Sequence, residues 1–279
     1  MPTKVAKKRK SKKRDLLDGL FRPRSVAVIG ASRRVNSIGG EILRALVEFG
    51  FSGPVYPVNP GAVAVHSMKT YPSLASIPDP VDLAVVVVPR DHVLGVIEEC
   101  GKKGVLGVVV ITAGFKEVDS EGARLELKVR KRLEHYNMRM IGPNCMGMLN
   151  TDPAVNLDLT FSPTFPPRGN VAMSSQSGAL GIAILDYADQ LEIGISSFVS
   201  VGNKADVTAN DLLLYWEGDP ATDVILLYVE SFGAPRRFAR IARRIGKQKP
   251  IIAVKSGRTS AGARAASSHT GALASVEVA

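Results

Sequence analysis

From residue 25 onward, apolar positions fall into short β-branched runs that alternate with segments of helical period, the pattern of a parallel α/β sheet. Residues 25–29 predict a buried strand, Gly30-Ala31-Ser32 a turn, and residues 38–49 a helix whose apolar positions Ile42, Leu43, Leu46 and Val47 share one face. Residues 55–58 predict a second strand, stopped by Asn59-Pro60-Gly61, and residues 83–88 a third, a valine run of the kind buried on both faces. Helices at 92–103 and 121–136 and strands at 107–111 and 138–141 complete a Rossmann-like unit over residues 15–149. Residues 150–168, rich in Pro and Asp, have the composition of an interdomain connection. Strands at 170–173, 195–199, 224–229 and 251–254 then alternate with helices at about 178–190, 210–216 and 235–246, a second doubly wound sheet within residues 169–279.

The 279 residues are 45% hydrophobic and 22% charged, enough to bury a core and to exclude disorder throughout. The longest apolar runs, 83–89 and 105–115, are well short of the ~18 residues of a membrane helix, so a soluble protein is expected. Cys100 and Cys145 alone exclude a disulfide framework, leave any Cys/His metal cluster short of ligands, and suit a reducing cytoplasm. The net charge of +10 suggests nucleic acid until it is located. Residues 1–14 hold eight cations and no acid, which predicts a disordered basic tail, and the other 265 residues carry 28 basic against 26 acidic groups. That nearly neutral body offers no basic, aromatic-interleaved face, so nucleic acid is expected only through the tail.

In open α/β sheets the chemistry lies in loops at the carboxyl ends of the strands. Gly30-Ala31-Ser32 joins strand to helix, with Arg33 and Arg34 following, and could seat a phosphate or be an ordinary tight turn. It departs from G-x-G-x-x-G: Ser32 stands at the second glycine, and Gly39 and Gly40 come too late. Gly142-Pro143-Asn144-Cys145-Met146-Gly147 implies special backbone dihedrals and close approach, with Cys145 either a small core residue or a reactive thiol. Ser175-Gln176-Ser177-Gly178 puts hydroxyls, an amide and a helix N-terminus together, fit for a phosphoryl group as well as for capping. Glu230 ends the strand at 224–229, either solvated or aimed into a site, and His269 stands in the small-residue loop Ser268-His269-Thr270-Gly271, where a neutral imidazole is a usable nucleophile. His66, His92 and His135 have ordinary contexts.

Together these loops, with Tyr56-Pro57-Val58-Asn59-Pro60, Val201-Gly202-Asn203-Lys204-Ala205-Asp206 and Tyr228-Val229-Glu230-Ser231, resemble in order the nucleoside-diphosphate-forming acyl-CoA synthetases, the family of ADP-forming acetate-CoA ligase and of the succinyl-CoA synthetase α subunit. The resemblance implies a Rossmann-like CoA-binding domain, then a flavodoxin-like domain whose histidine carries a phosphoryl group. It assigns that role to His269, the orienting of its imidazole to Glu230, phosphoryl binding to Ser175, Gln176, Ser177 and Gly178 with Thr270 and Gly271, and CoA binding to Gly30, Ala31, Ser32 and Arg33 with Asn144 and Cys145. Family members continue beyond the point where this chain stops at Ala279. The ATP-grasp portion, which would bring ADP or ATP and Mg²⁺, is therefore expected as a partner subunit or further domains, and the chain alone should not complete the reaction. The competing expectation is a CoA-responsive regulatory module without ligase chemistry, which would need neither His269 nor Glu230.

Overall fold

The computed structural model describes residues 17–257. Elements are numbered in chain order. Five strands, β1 (Val26–Ile29), β2 (Val55–Val58), β5 (Leu83–Val86), β6 (Gly107–Val110) and β7 (Arg139–Ile141), form a parallel sheet in the order β2-β1-β5-β6-β7. The apolar runs of β1, β5 and β6 are buried at every position, because helices cover both faces of a parallel sheet. The helices of this half are α1 (Asp18–Phe21), α2 (Ile38–Glu48), α3 (Arg90–Lys103) and α4 (Ser120–Tyr136), and a small hairpin pairs β3 (Ala64–Val65) with β4 (Met68–Lys69). Asp119 caps α4 by accepting from the Gly122 amide at 2.6 Å, and Asn137 ends it in the left-handed conformation.

The second sheet has six strands in the order β13-β12-β10-β11-β8-β9. Its parallel part is β10 (Arg168–Ser175), β11 (Ile195–Ser200), β12 (Val224–Val229) and β13 (Ile251–Lys255), connected by α5 (Gly178–Gln190), α6 (Ala209–Glu217) and α7 (Pro235–Ile245). Residues 150–168, expected as a bare connection, also extend this sheet. β8 (Met148–Asn150) runs antiparallel to β11, and β9 (Leu157–Asp158) antiparallel to β8. Strands of two and three residues are too short to show a period, but Val155, Leu157 and Leu159 are buried with Met148 and Val199 in one cluster. That cluster continues from Val28 and Leu83 of the first sheet to Trp216 and Ile225 of the second, so one core serves both.

Charge is distributed less evenly than the near-neutral body implied. α7 exposes Arg236, Arg240 and Arg243 on its outer side, continued by Lys247, a basic stripe that compensating acids elsewhere hid in the total. The basic tail of residues 1–14 lies outside the described residues.

Asp158 is fully buried on β9. Its Oδ1 accepts from the Thr160 amide at 2.8 Å, while Oδ2 has no partner among the described residues. Burial pushes this carboxyl up to about 7. A raised carboxyl favours the protonated native state, so stability is lost as pH rises from the unfolded value near 4 to about 7, and the loss persists above that. Asp158→Asn should therefore match the wild type in thermal midpoint near pH 4 and exceed it by roughly 5 °C at pH 8. A difference that does not change with pH in thermal scans would contradict the ionisation argument.

Candidate functional site

In each sheet one pair of neighbouring strands sends its following helices to opposite sides, which opens a crevice at their carboxyl ends. In the first sheet the pair is β1 and β5. Gly30 opens the loop there with φ +97°, a conformation L side chains rarely adopt, and its amide donates to Val58 O at 3.0 Å. A β-carbon at Gly30 would come within 2.2 Å of Val87 O on the β5 side. A β-carbon at Gly39 would come equally close to Gly30 O. Gly39 is thus the close-packing glycine that spacing alone placed too late: residues 33–37 loop outward and α2 starts against the turn. Asn59 Nδ2 donates to Ala31 O at 2.7 Å, and Ser32 Oγ accepts from the Arg34 amide at 3.1 Å. Arg33 and Arg34 stay exposed, so the crevice combines a helix N-terminus with two guanidinium groups, a combination suited to phosphate anions.

The corresponding pair in the second sheet is β10 and β12, which carry the Ser175–Gly178 turn and Glu230. Ser175 is buried, its Oγ donating to Ser177 O at 2.7 Å, and Ser177 Oγ accepts from the Leu180 amide at 3.4 Å as the cap of α5. Capping and an anion-facing helix end therefore coexist. Gln176 spans the crevice. Its Oε1 accepts from the amides of Glu230 (2.8 Å) and Ser231 (3.0 Å), and its Nε2 donates to Ser231 O at 2.7 Å. Lys204, from the loop after β11, donates through Nζ to Ser231 O and Ser231 Oγ, both at 2.6 Å. Burial and the like charges of Lys116 and Lys255 lower the Lys204 ammonium to about 8, against the favourable field of Glu230.

The Gly142–Gly147 loop has the special dihedrals expected of it, with φ of +97° at Gly142, +57° at Asn144 and +105° at Gly147. What approaches it closely is the other half of the chain. A β-carbon at Gly202 would lie 2.3 Å from both Pro143 O and Asn144 O, and Asn203 N donates to Pro143 O at 2.9 Å. Asn144 Nδ2 reaches Asn203 Oδ1 at 3.4 Å. Asn203 Nδ2 donates to Glu117 (2.6 Å) and Glu126 (2.9 Å), and Lys116 Nζ donates to Asn203 O at 2.6 Å. Beside this, Asp206 receives Arg139 Nε at 3.0 Å and the Met140 amide at 2.7 Å. Of the two readings of Cys145, packing prevails: the side chain is buried, Sγ donates to Val110 O at 3.3 Å, and burial pushes the thiol up to about 12. Cys145 therefore offers no side chain to a ligand, and Asn144 belongs to the joint between the halves.

His269, Thr270 and Gly271 lie outside the described residues, as does Arg258. β13 brings Lys255 and Ser256 to the same carboxyl edge as Glu230, with Ser256 N donating to Val229 O at 3.0 Å. Lys204 and the lysines whose charge it feels, Lys116 and Lys255, were not legible as a group, because they come from three distant segments. The one available signal was Lys204 within the Gly-Asn-Lys motif.

No described helix is long and apolar enough to cross a membrane. Residues 24–151 match the family described as CoA binding domain, and residues 168–279 that of the succinyl-CoA ligase like flavodoxin domain. The ADP-forming acetate–CoA ligase of Methanocaldococcus jannaschii is 48% identical over 92% of this chain and 35% of its own length. The α subunit of the ADP-forming acetate–CoA ligase I of Pyrococcus furiosus is 47% identical over 92% of this chain and 56% of its own. Among solved structures, the dinucleotide forming acetyl-coenzyme A synthetase 1 of Candidatus Korarchaeum cryptofilum, in complex with phosphate and ADP, superposes with a TM-score of 0.86 at 50% identity, covering 92% of this chain and 56% of that one. The chain thus spans from about a third to somewhat over half of these relatives. Motifs, paired sheets and relatives agree: over 92% of its length the chain is similar to ADP-forming acyl-CoA ligases, and it consists of a CoA binding domain followed by a succinyl-CoA ligase like flavodoxin domain.

Proposed function

We propose that this chain is the CoA-binding and phosphohistidine portion of an acyl-CoA ligase that interconverts acyl-CoA, phosphate and a nucleoside diphosphate with a carboxylate, CoA and the triphosphate. The observation that carries this reading is the pair of crevices on one shared core, one flanked by exposed arginines and the other joining a helix N-terminus to Glu230 and Lys204. CoA would lie at Gly30, Ala31 and Ser32 with Arg33, its phosphates facing the α2 N-terminus. A phosphate oxygen attacks the thioester carbonyl, the C–S bond breaks, and CoA leaves as the thiol once protonated. A ring nitrogen of His269 then attacks phosphorus, the bond to the acyl oxygen breaks, and the carboxylate departs. Ser175, Gln176, Ser177 and Gly178 with Thr270 and Gly271 hold the phosphoryl oxygens, and Glu230 orients the imidazole and favours its rising positive charge. Transfer to the diphosphate breaks the P–N bond and restores the histidine.

Among the described residues, no group of three or more His, Cys, Asp or Glu could hold a metal ion. We assign Mg²⁺ and ADP or ATP to an ATP-grasp portion, as partner subunit or further domain, with no step of this chain routed through them. A cytoplasmic setting fits the two reduced cysteines.

The test uses the 279-residue chain with labelled acetyl phosphate as phosphoryl donor and CoA in a calorimeter. Expected are a label that is acid-labile and base-stable, as a phosphoramidate is, and measurable CoA binding without any partner. CoA binding without label would favour the regulatory module, and absence of both would overturn the assignment.

A further inference from the structure

Lys204 has no chemical role in the reading above, yet its ammonium contacts the turn that follows Glu230. The Ser231 carbonyl oxygen receives both Lys204 Nζ at 2.6 Å and Gln176 Nε2 at 2.7 Å, so the ammonium lies against the turn that starts α5. The turn itself bears no formal charge. Lys204 sits at φ +47°, and its neighbour Asn203 is clamped by Lys116, Glu117 and Glu126 of the first half, which fixes where the side chain emerges. Lys204, from the β11 loop, feels the like charges of Lys116, from the loop after β6, and of Lys255, from β13, and the opposite charge of Glu230. Glu117 and Glu126 are engaged by Asn203, and Glu126 also by Lys116 at 2.9 Å. Lys116 is already answered by Glu126, so Lys204 and Lys255 are the ammonium groups that a dianionic phosphoryl group would meet beside Glu230.

The geometry points to Lys204 as the side chain that binds the phosphoryl dianion at the α5 N-terminus, held there by the contact between the two halves of the chain. This inference rests on the phosphoryl-transfer reading and adds the residue that supplies the charge. The partly buried ammonium is lowered to about 8 without an anion. Binding of a dianion should raise it, so anion affinity should fall as pH passes 8.

The probe is inorganic phosphate, titrated into the full chain by calorimetry between pH 7.5 and 9, where phosphate itself is largely the dianion. Lys204→Met should weaken binding at pH 7.5 by at least about tenfold. Lys204→Arg should keep binding within about threefold and abolish the fall toward pH 9, since guanidinium does not titrate there. A role limited to bracing Ser231 would lower affinity without moving the pH limb. Undiminished binding by Lys204→Met, or a pH limb that survives in Lys204→Arg, overturns the inference. If the wild type takes the acid-labile label while either holds, only Lys204 is lost. If the wild type neither binds phosphate nor labels, the phosphoryl-transfer reading falls with it.

Discussion

Replacing His269 by Asn is expected to remove the acid-labile label completely, and Glu230→Gln to slow its appearance about 100-fold. Asparagine keeps a side-chain amide and polarity but has no nucleophilic ring nitrogen, so nothing is left to form the P–N bond. On the proposed reading Glu230 acts at one remove. Its backbone is already fixed by Gln176 Oε1 at 2.8 Å, so exchanging its carboxylate for an amide leaves the turn in place and removes the charge that favours an imidazole becoming cationic. The separation matters experimentally: a slowed label in Glu230→Gln with an unchanged thermal midpoint locates the effect in the chemistry. Full labelling of His269→Asn would put the nucleophile elsewhere.

Gly30→Val should remove CoA binding, by at least about 100-fold in calorimetry, and lower the thermal midpoint. The added β-carbon would meet Val87 O at 2.2 Å at a φ of +97°, so the β1 and β5 ends must separate and the turn must rebuild. On the proposed reading the label forms at His269 and not at this turn, so labelling by acetyl phosphate should persist, which shows whether the variant is folded. A companion variant, Arg33→Ser with Arg34→Ser, changes exposed side chains only and should weaken CoA binding about tenfold at an unaltered midpoint. Normal CoA affinity in both variants would move the ligand away from this turn.

The regular elements were legible because their patterns are long or strongly apolar. α5 at Gly178–Gln190 and β12 at Val224–Val229 have the bounds their periodicity implies. β8 and β9 were hidden in a Pro- and Asp-rich stretch, since strands of three and two residues carry no measurable alternation. The loops bearing Gly30, Ser175 and Glu230 were found because unusual residue types at strand ends stand out against valine runs. What they face did not show: Lys204 meets Ser231 only after three strands assemble, and Asn144 turned out to answer Asn203, 59 positions away. The burial of Asp158 was equally silent, because an acidic residue in a polar stretch reads as solvated.

The clamp on Asn203 and the Asp206 contact with Arg139 and Met140 also bear on how such chains can be inherited. Lys116, Glu117, Glu126 and Arg139 come from one half, Asn203 and Asp206 from the other, and the two sets bond to each other across the joint. A recombinant that exchanged halves between distant relatives at residues 151–167 would cut through none of these contacts yet place mismatched sets face to face. A substitution at Asn203 or Asp206 is therefore expected to need an answering change at the facing positions to restore the joint.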